Sequence, residues 1–338
     1  MNELDLNNLE IHNVIGTGAD YEVRLAGPIG DTPSMVMKRP NPHSILKNLH
    51  ASTETRTHKM IQFHKEIGND ITGITHILGY FQNTPQNNHL YTDELDHDYT
   101  VVCQERASGI PLNADVRARI LKVPTGLGQT LFALFPLGLD DPFDIPCKLM
   151  DIQNNLYKHG YLLFDLNPQN VFYSPDTGNL NMIDTADLHK LDAENDIKTS
   201  NKTKEDYFLE LIRYYVAAEE IPTEESAYFS PRGDKPYINK ESEINLLKSQ
   251  FEQLTTSDSH TMLDIIKKIQ SEYYQSVSDF NQDMMEYFSV AKGRLQLARG
   301  KPETLASWHS AKEYLHHSHW SKYDFNPNYD KSTDNLEI

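Results

Sequence analysis

The sequence predicts an α+β fold in two parts, the first built on an antiparallel sheet and the second mostly helical. Two observations lead to this prediction. Within residues 1–106, five runs of β-forming residues are separated by turns that contain glycine or proline. From Ser108 onward, apolar residues recur at helical spacing instead. A chain of 338 residues is long enough for two modest domains or for one large domain with two lobes.

The first part is expected to contain five strands and one helix. LEIHNVIG, EVRLA and SMVMKR alternate β-formers with turn signals, which predicts three antiparallel strands. Residues 44–67 are polar and lack glycine and proline, which favours an exposed or half-exposed helix. ITGITHILGYF and YTVVCQE predict two more strands, joined by a polar loop from Gln82 to Asp98.

The second part is expected to be helical. One predicted helix has a single apolar stripe and ends at Gly160. The residues of this stripe are Ile145, Leu149, Ile152 and Leu156. A second helix is expected to start near Thr203, and the chain from about Asn239 to Trp320 is mostly helix-forming. We therefore divide the chain into residues 1–106, residues 107–325 and a polar tail, residues 326–338.

Charge and cysteine content exclude several classes of protein. The chain has 31 Lys and Arg against 49 Asp and Glu, a formal net charge of −18, so broad attraction to nucleic acid or to an anionic membrane is not expected. Basic protein substrates would be favoured. Cys103 and Cys147 are not spaced as a metal site, which suits a reducing compartment. We expect no membrane span and a cytoplasmic location. Delivery into a host cell without a classical signal peptide remains open.

Two features of the first part favour phosphate binding. IGTGADYEVRLA places Gly16 and Gly18 between two strands, where a backbone without β-carbons can lie close over phosphates. Taken alone, a plain hairpin turn explains these glycines better. MVMK places Lys38 on the next strand, where its side chain could point at a nucleotide or, as an edge lysine, face water.

A third feature carries a family resemblance. YKHGYLLFDLNPQNVFYSPDTGNLNMID resembles the catalytic segment of the protein kinase superfamily, with a helix, a His-Gly turn, an Asp-x-x-x-x-Asn loop and a hairpin. Asp165 and Asn170 have the spacing of that loop, and the strand NLNMID ends at Asp184. A hairpin with solvent-facing acids is the alternative, but it does not account for the upstream lysine and glycines. The resemblance covers about residues 11–218 and is to a divergent protein kinase-like protein of bacterial or viral type.

The resemblance implies a bilobed protein-kinase-like fold that binds ATP and Mg²⁺. It implies transfer of the γ-phosphate to hydroxyls of an unidentified protein substrate and favours Ser/Thr over Tyr. Gly16 and Gly18 would cover the phosphates. Lys38 would hold the α- and β-phosphates and would itself be steadied by Glu54, on the helix predicted for residues 44–67.

The remaining roles also follow from the resemblance. Asp165 would orient the attacking hydroxyl, while Asn170 and Asp184 would bind Mg²⁺. YTVVCQERASGIPL is similar to the strand and hinge that line the adenine pocket, an alternative being any central strand with its loop. The residues assigned to this pocket and hinge are Cys103, Gln104, Glu105 and Arg106. EDYFLELIRYYVAA is similar to the central helix of the larger lobe, whose first-turn Asp206 would anchor the catalytic loop or simply suit a helix start.

The chain also departs from the family pattern. Leu163-Phe164 replaces the His-Arg that precedes the catalytic aspartate, so control by a phosphorylated activation loop is not expected. Thr185-Ala186 replaces Phe-Gly, and Asp206 follows only 22 positions after Asp184, with no Ala-Pro-Glu between them. A small-molecule kinase of the aminoglycoside or choline type, and a nucleotide-binding pseudokinase scaffold, are therefore retained as alternatives.

Overall fold

The described part of the chain covers most of both predicted parts. The computed structural model describes residues 2–4, 8–18, 20–43, 50–67, 70–84, 95, 97–111, 144–164, 170–174, 176–191, 203–215, 245, 248–249, 251–252, 257–299 and 322–325. The predicted catalytic residue Asp165 and the polar tail lie outside these residues.

The chain forms two compact units. The first comprises Met1–Ser108, Asn181–Leu188 and Lys322–Asp324, and the second comprises the intervening chain and the C-terminal residues. The sequence-based boundary after residue 106 lies close to Ser108. The segment Asn181–Leu188, which carries Asp184, belongs to the first unit rather than to the predicted second part. We call it the Asp184 segment.

The first unit is built on one sheet. Its elements are β1 (Asn2–Glu3), β2 (Leu9–Thr17), β3 (Tyr21–Pro28), β4 (Met35–Pro40), α1 (His50–Glu66), β5 (Ile77–Asn83) and β6 (Tyr99–Glu105). The strand order is β1-β5-β6-β4-β3-β2. Strands β2 to β6 form the predicted five-stranded antiparallel sheet, and β1 adds to β5 in parallel. The fourth predicted strand, ITGITHILGYF, was expected to begin at Ile71. In the structure β5 begins at Ile77, because Gly73 turns the chain with a φ of +91°.

The two faces of this sheet have different neighbours. In the β4–β6 register, Lys38 pairs with Val102 and Met37 pairs with Cys103. Met37 and Cys103 lie in one apolar cluster, whereas Val102 packs with Met60 of helix α1. Because neighbouring residues of a strand point to opposite faces, Lys38 shares the α1 face with Val102.

The second unit contains short strands and four described helices. Its elements are β7 (Ile110–Pro111), α2 (Asp144–Lys158), β8 (Tyr161–Leu163), β9 (Val171–Ser174), β10 (Asn179–Met182, which continues into the Asp184 segment), β11 (Leu188–Lys190), α3 (Lys204–Tyr215), α4 (Ser257–Gln270) and α5 (Val277–Arg299). Strands β10, β9 and β7 form one small sheet in that order, and β11 pairs with β8.

The two predicted helices before residue 216 are confirmed, and α4 and α5 lie within the stretch from about Asn239 to Trp320 that was expected to be helical. Residues 300–320 of that stretch lie outside the described residues. The stripe of α2 is buried, and Gly160 ends the helix with a φ of +80°. Helix α3 begins directly after Thr203 and buries Phe208, Leu211, Ile212 and Tyr215. Within the described ranges, none of the helices is both long and apolar enough to cross a membrane.

Candidate functional site

Lys38 points into the interior of the first unit. It lies on β4 with 4% of its surface exposed, and its Nζ donates a hydrogen bond to the main-chain carbonyl of Ile183. Burial lowers the pKa of Lys38, and the nearby Asp184 carboxylate opposes this shift. The interpretation of Lys38 as an edge lysine that faces water is therefore wrong. The strand lysine and the predicted metal-binding aspartate lie together, although they are far apart in sequence.

The Asp184 segment is held in place by main-chain hydrogen bonds. The N–H of Met182 donates to the carbonyl of Gly73 at 2.8 Å, and the N–H of Thr75 donates to the carbonyl of Met182 at 3.0 Å. Beyond this bridge, the N–H of Ala186 donates to Oδ1 of Asp184 at 3.0 Å. This turn fixes the carboxylate. Its Oδ2 atom has no hydrogen-bond partner among the described residues.

The arrangement of Asp184 suits Mg²⁺. Magnesium prefers hard oxygen ligands and usually binds to one or two carboxylates together with phosphate oxygens and water. Among the described residues, no donor contacts the second carboxylate oxygen of Asp184. The described ranges hold no group of three or more His, Cys, Asp or Glu side chains that could enclose a metal ion. The other predicted ligand, Asn170, is 9% exposed and belongs to the second unit.

Glu54 does not pair with Lys38, which corrects the sequence-based expectation. Its carboxylate accepts hydrogen bonds from the main-chain N–H of Thr100, at 3.1 Å, and from the hydroxyl of the same residue. It also lies 3.2 Å from Nε2 of His58, one helical turn away. Helix α1 is polar along most of its length, so its sequence did not fix which acidic residue turns toward β4.

Arg56 of helix α1 contacts the Asp184 segment, which the sequence did not predict. Its Nη1 lies 2.7 Å from Oδ2 of Asp20, and its Nη2 lies 3.0 Å from Oδ2 of Asp187. Burial disfavours the charge, but Asp187, Asp20, Asp184 and Tyr21 together outweigh this effect, and the pKa of Arg56 is raised. The guanidinium thus links the turn after β2 to the Asp184 segment. A single arginine in a polar helix gives no sequence signal for such a contact.

Hydrogen bonds hold the turn between β2 and β3 in place. The N–H of Gly18 donates to the carbonyl of Tyr21 at 2.8 Å, and Asn41 Nδ2 donates to the carbonyl of Gly18 at 2.7 Å. A β-carbon on Gly16 would meet nothing within 4 Å, and one on Gly18 would meet only the Tyr21 oxygen at 3.8 Å. Packing within the chain therefore does not require glycine at either position. We call Gly16, Gly18 and Asp20 the glycine turn.

A buried histidine lies beside the Asp184 segment. Nε2 of His64 is 3.3 Å from the hydroxyl oxygen of Thr185. Burial, with smaller contributions from His76 and Lys38, lowers the pKa of His64 to about 3. The imidazole is therefore neutral at pH 7, and Thr185, with 1% of its surface exposed, fills the interior beside it.

Cys103 does not lie on the face of the sheet that carries Lys38, contrary to the predicted pocket role. Its side chain is fully buried in the opposite apolar cluster, and its Sγ lies 3.1 Å from Sδ of Met35. Burial raises the pKa of Cys103 to about 12. The sequence could not reveal the face, because almost every residue of YTVVCQE is buried and no polar alternation remains.

Gln104 does share the face of Lys38. Its Nε2 donates to the carbonyl and to the hydroxyl oxygen of Thr75, at 3.0 and 2.5 Å. The hydroxyl of Thr75 in turn donates to the carbonyl of Met182 at 3.0 Å. This chain of hydrogen bonds links β6 to the Asp184 segment. Gln104 therefore helps to hold the Asp184 segment in place through Thr75.

The predicted hinge residues make structural contacts. The N–H of Glu105 donates to the carbonyl of His76 at 2.9 Å, and that of Arg106 donates to the carbonyl of Ser34 at 3.3 Å. The guanidinium of Arg106 also donates to the carbonyl of Lys322 at 3.1 Å. Both main-chain donors are thus already used, so neither is available to adenine in this structure.

Two family positions in the second unit have structural roles. Phe164 is 3% exposed and packs edge-on against Tyr207 and His189, each at 5.0 Å between ring centroids. Oδ2 of Asp206 accepts hydrogen bonds from the N–H and the hydroxyl of Thr203, both at 2.7 Å, as at a capped helix start. An arginine at position 164 would therefore be buried among aromatic rings.

Similarity to known proteins does not identify the chain. No model of a known protein family matches it, and no curated protein matches it either. The functional argument therefore depends on the residues of the first unit, above all on Lys38 and Asp184.

Proposed function

We propose that the protein is a divergent protein-kinase-like phosphotransferase that binds Mg·ATP and transfers the γ-phosphate to a protein hydroxyl. The observation that carries this proposal is the juxtaposition of Lys38 and Asp184 in the first unit. These are the strand lysine and the metal-binding aspartate of the resemblance, and Lys38 bonds to Ile183, the residue directly before Asp184, although the two come from distant parts of the sequence. The element order of three strands, a helix and two further strands in β2 to β6 and α1 also supports it.

Lys38 would supply positive charge to the phosphates. Its ammonium group has three N–H donors, of which the Ile183 carbonyl takes one, and the others can turn to phosphate oxygens. A buried ammonium group interacts with phosphate more strongly than an exposed one, because water screens it less. The carboxylate of Asp184 opposes the pKa decrease that burial causes, which helps Lys38 to keep its proton.

Asp184 would hold Mg²⁺ from the first unit, while the resemblance assigns metal binding to Asn170 and the orientation of the acceptor hydroxyl to Asp165. The bound metal supplies charge neutralisation on the phosphate oxygens during transfer. On the protein side, the turn made with Ala186 keeps Oδ1 of Asp184 occupied, so the other oxygen presents itself in a fixed direction. The open space at Gly16 and Gly18 would accept the phosphates at short distance from the backbone.

A nucleotide-binding scaffold without transferase activity is the second candidate. One observation favours it: Glu54, the expected partner of Lys38, hydrogen-bonds to Thr100 instead. In an active kinase-like site the strand lysine is held by such a glutamate. The scaffold would use the same Lys38 and Asp184 to bind ATP but would not need Asp165.

Incubation of the purified full chain with γ-labelled ATP, Mg²⁺ and a generic basic protein tests the proposal. A basic substrate suits the net charge of −18. The wild type should transfer label, and Asp184→Asn, Asp165→Ala and Lys38→Met should not. Asp176→Asn and Lys65→Met are matched controls on an exposed turn and an exposed helix position, and both should keep activity.

The other outcomes are equally informative. Transfer to an aminoglycoside or to choline, but not to protein, would identify a small-molecule kinase. Binding of Mg·ATP with no transfer to any acceptor would identify the scaffold. A wild-type protein that does not bind Mg·ATP would refute the proposal.

A further inference from the structure

Arg56 joins two segments that are distant in sequence. It lies 36 residues after Asp20 and 131 residues before Asp187, and its two Nη atoms contact one carboxylate each. The side chains of Arg56, Asp20 and Asp187 are 27%, 24% and 36% exposed, so water screens both ion pairs only in part. Each pair lies within the first unit.

Asp20 is linked by hydrogen bonds through Asn41 to Gly18 of the glycine turn. Its carbonyl accepts from the N–H of Asn41 at 2.9 Å, and the side-chain amide of Asn41 donates to the carbonyl of Gly18 at 2.7 Å. Thr53, on the same helix as Arg56, donates to Oδ1 of Asp20 at 3.3 Å. A displacement of Asp20 would therefore move the glycine turn.

Asp187 is connected in the same way to Asp184. Only Thr185 and Ala186 separate the two aspartates, and the N–H of Ala186 is bonded to Oδ1 of Asp184. The N–H of Leu188 donates to the carbonyl of Thr185 at 3.3 Å, which closes the turn. A displacement of Asp187 would therefore rotate the carboxylate of Asp184.

Arginine is the residue that this position needs. Its planar guanidinium presents several N–H groups in a fixed fork, so it can hold two carboxylates at a set distance. A lysine has a single ammonium group on a flexible stem and would not fix two partners in the same way. Nε of Arg56 is buried without a hydrogen-bond partner among the described residues, so no other acceptor there competes for the group.

We propose that Arg56 is the positioning residue of this site and sets the distance between the glycine turn and Asp184. Arg56 thereby has the positioning role that the resemblance assigned to the Lys38–Glu54 pair. Arg56 acts through Asp20 and Asp187, so it positions the phosphate-binding groups without itself belonging to them. This inference rests on the proposed function, because it concerns the same nucleotide site.

The test is the kinetics of Arg56→Gln and Arg56→Lys in the full chain, measured as transfer of label from Mg·ATP. Loss of two partly exposed ion pairs should raise the KM for Mg·ATP about tenfold, with a smaller change in kcat. Asp187→Asn and Asp20→Asn should shift KM in the same direction. Combining Arg56→Gln with Asp187→Asn should cost little more than Arg56→Gln alone, because both changes remove the same contact.

Arg24→Gln is the matched control. Arg24 also forms a partly exposed ion pair in the first unit, with Glu22 at 2.8 Å. The Arg24→Gln substitution should lower the melting temperature about as much as Arg56→Gln and leave the KM for Mg·ATP unchanged. If Arg56→Gln does not fold, Arg56→Lys and the two aspartate variants provide the same comparison.

Two results would overturn the inference and can be told apart from failure of the proposed function. An unchanged KM in Arg56→Gln, or a KM change equal to that of Arg24→Gln, would show that Arg56 has only a structural role. In both cases the wild type remains active. Failure of the proposed function is seen instead in the wild type, which would then neither bind nor use Mg·ATP.

Discussion

The buried histidine beside the Asp184 segment makes the stability of the protein depend on pH. His64 is neutral in the folded protein because burial lowers its pKa to about 3, whereas in the unfolded chain it takes its ordinary value of 6.5. The unfolded state therefore binds a proton at pH 6.5 and below, while the folded state does not. Stability is complete above pH 6.5 and decreases as the pH falls toward 3.

The size of this effect follows from the two pKa values. Between pH 7.5 and pH 5, proton binding to His64 in the unfolded state should lower the free energy of unfolding by about 2 kcal/mol. Acidic groups elsewhere in the chain add their own pH dependence, so the difference between two variants is the useful quantity. His64→Gln keeps a polar contact for Thr185 and cannot titrate.

Urea denaturation followed by circular dichroism at pH 7.5 and pH 5 measures this difference. The wild type should lose about 2 kcal/mol more than His64→Gln over this range. His260→Gln, at an exposed position of α4, is the control and should lose as much as the wild type. Equal losses in the wild type and in His64→Gln would refute the account of His64 as a buried neutral base.

Two further predictions concern the packing of the chain. Gly109 and Gly160 both have positive φ, but a β-carbon on Gly109 would lie 2.0 Å from the main-chain oxygen of Tyr173, whereas one on Gly160 meets nothing within 4 Å. Gly160→Ala should cost roughly 1–2 kcal/mol through its left-handed backbone, and Gly109→Ala clearly more; equal melting temperatures of the two variants would contradict this. A thiol reagent should modify the partly exposed Cys147 of the native protein and reach the buried Cys103 only after unfolding. Fast native modification of Cys103, read by peptide mass spectrometry, would show that its core cluster opens.

The sequence predicted the sheet of the first unit well. Strands β2 to β6 and helix α1 were visible because turn signals separate runs of β-formers, and these are local properties of the chain. The parallel strand β1 was not predicted, since two residues give no periodicity. Its pairing with β5 joins residues that are distant in sequence.

The candidate site was predicted in part. Lys38 and Asp184 were singled out because each lies at the end of a recognisable motif, and in the structure Lys38 bonds to the residue directly before Asp184. Their functional roles stay predictions. The prediction that Glu54 of α1 pairs with Lys38 was wrong, because the sequence pattern of α1 does not show whether Glu54 or Arg56 faces the site. The prediction that Cys103 lines the adenine pocket was also wrong, since a strand that is buried on both faces has no alternating pattern in its sequence.

Binding of ATP in the presence and absence of Mg²⁺, measured by isothermal titration calorimetry, tests the central claim most directly. Lys38→Met should weaken ATP binding under both conditions, because the ammonium group would contact the phosphates itself. Asp184→Asn should weaken binding about tenfold or more only when Mg²⁺ is present, and Asp176→Asn should behave as the wild type under both conditions. Wild-type affinity that neither Lys38→Met nor Asp184→Asn changes, or no binding at all, would contradict the account.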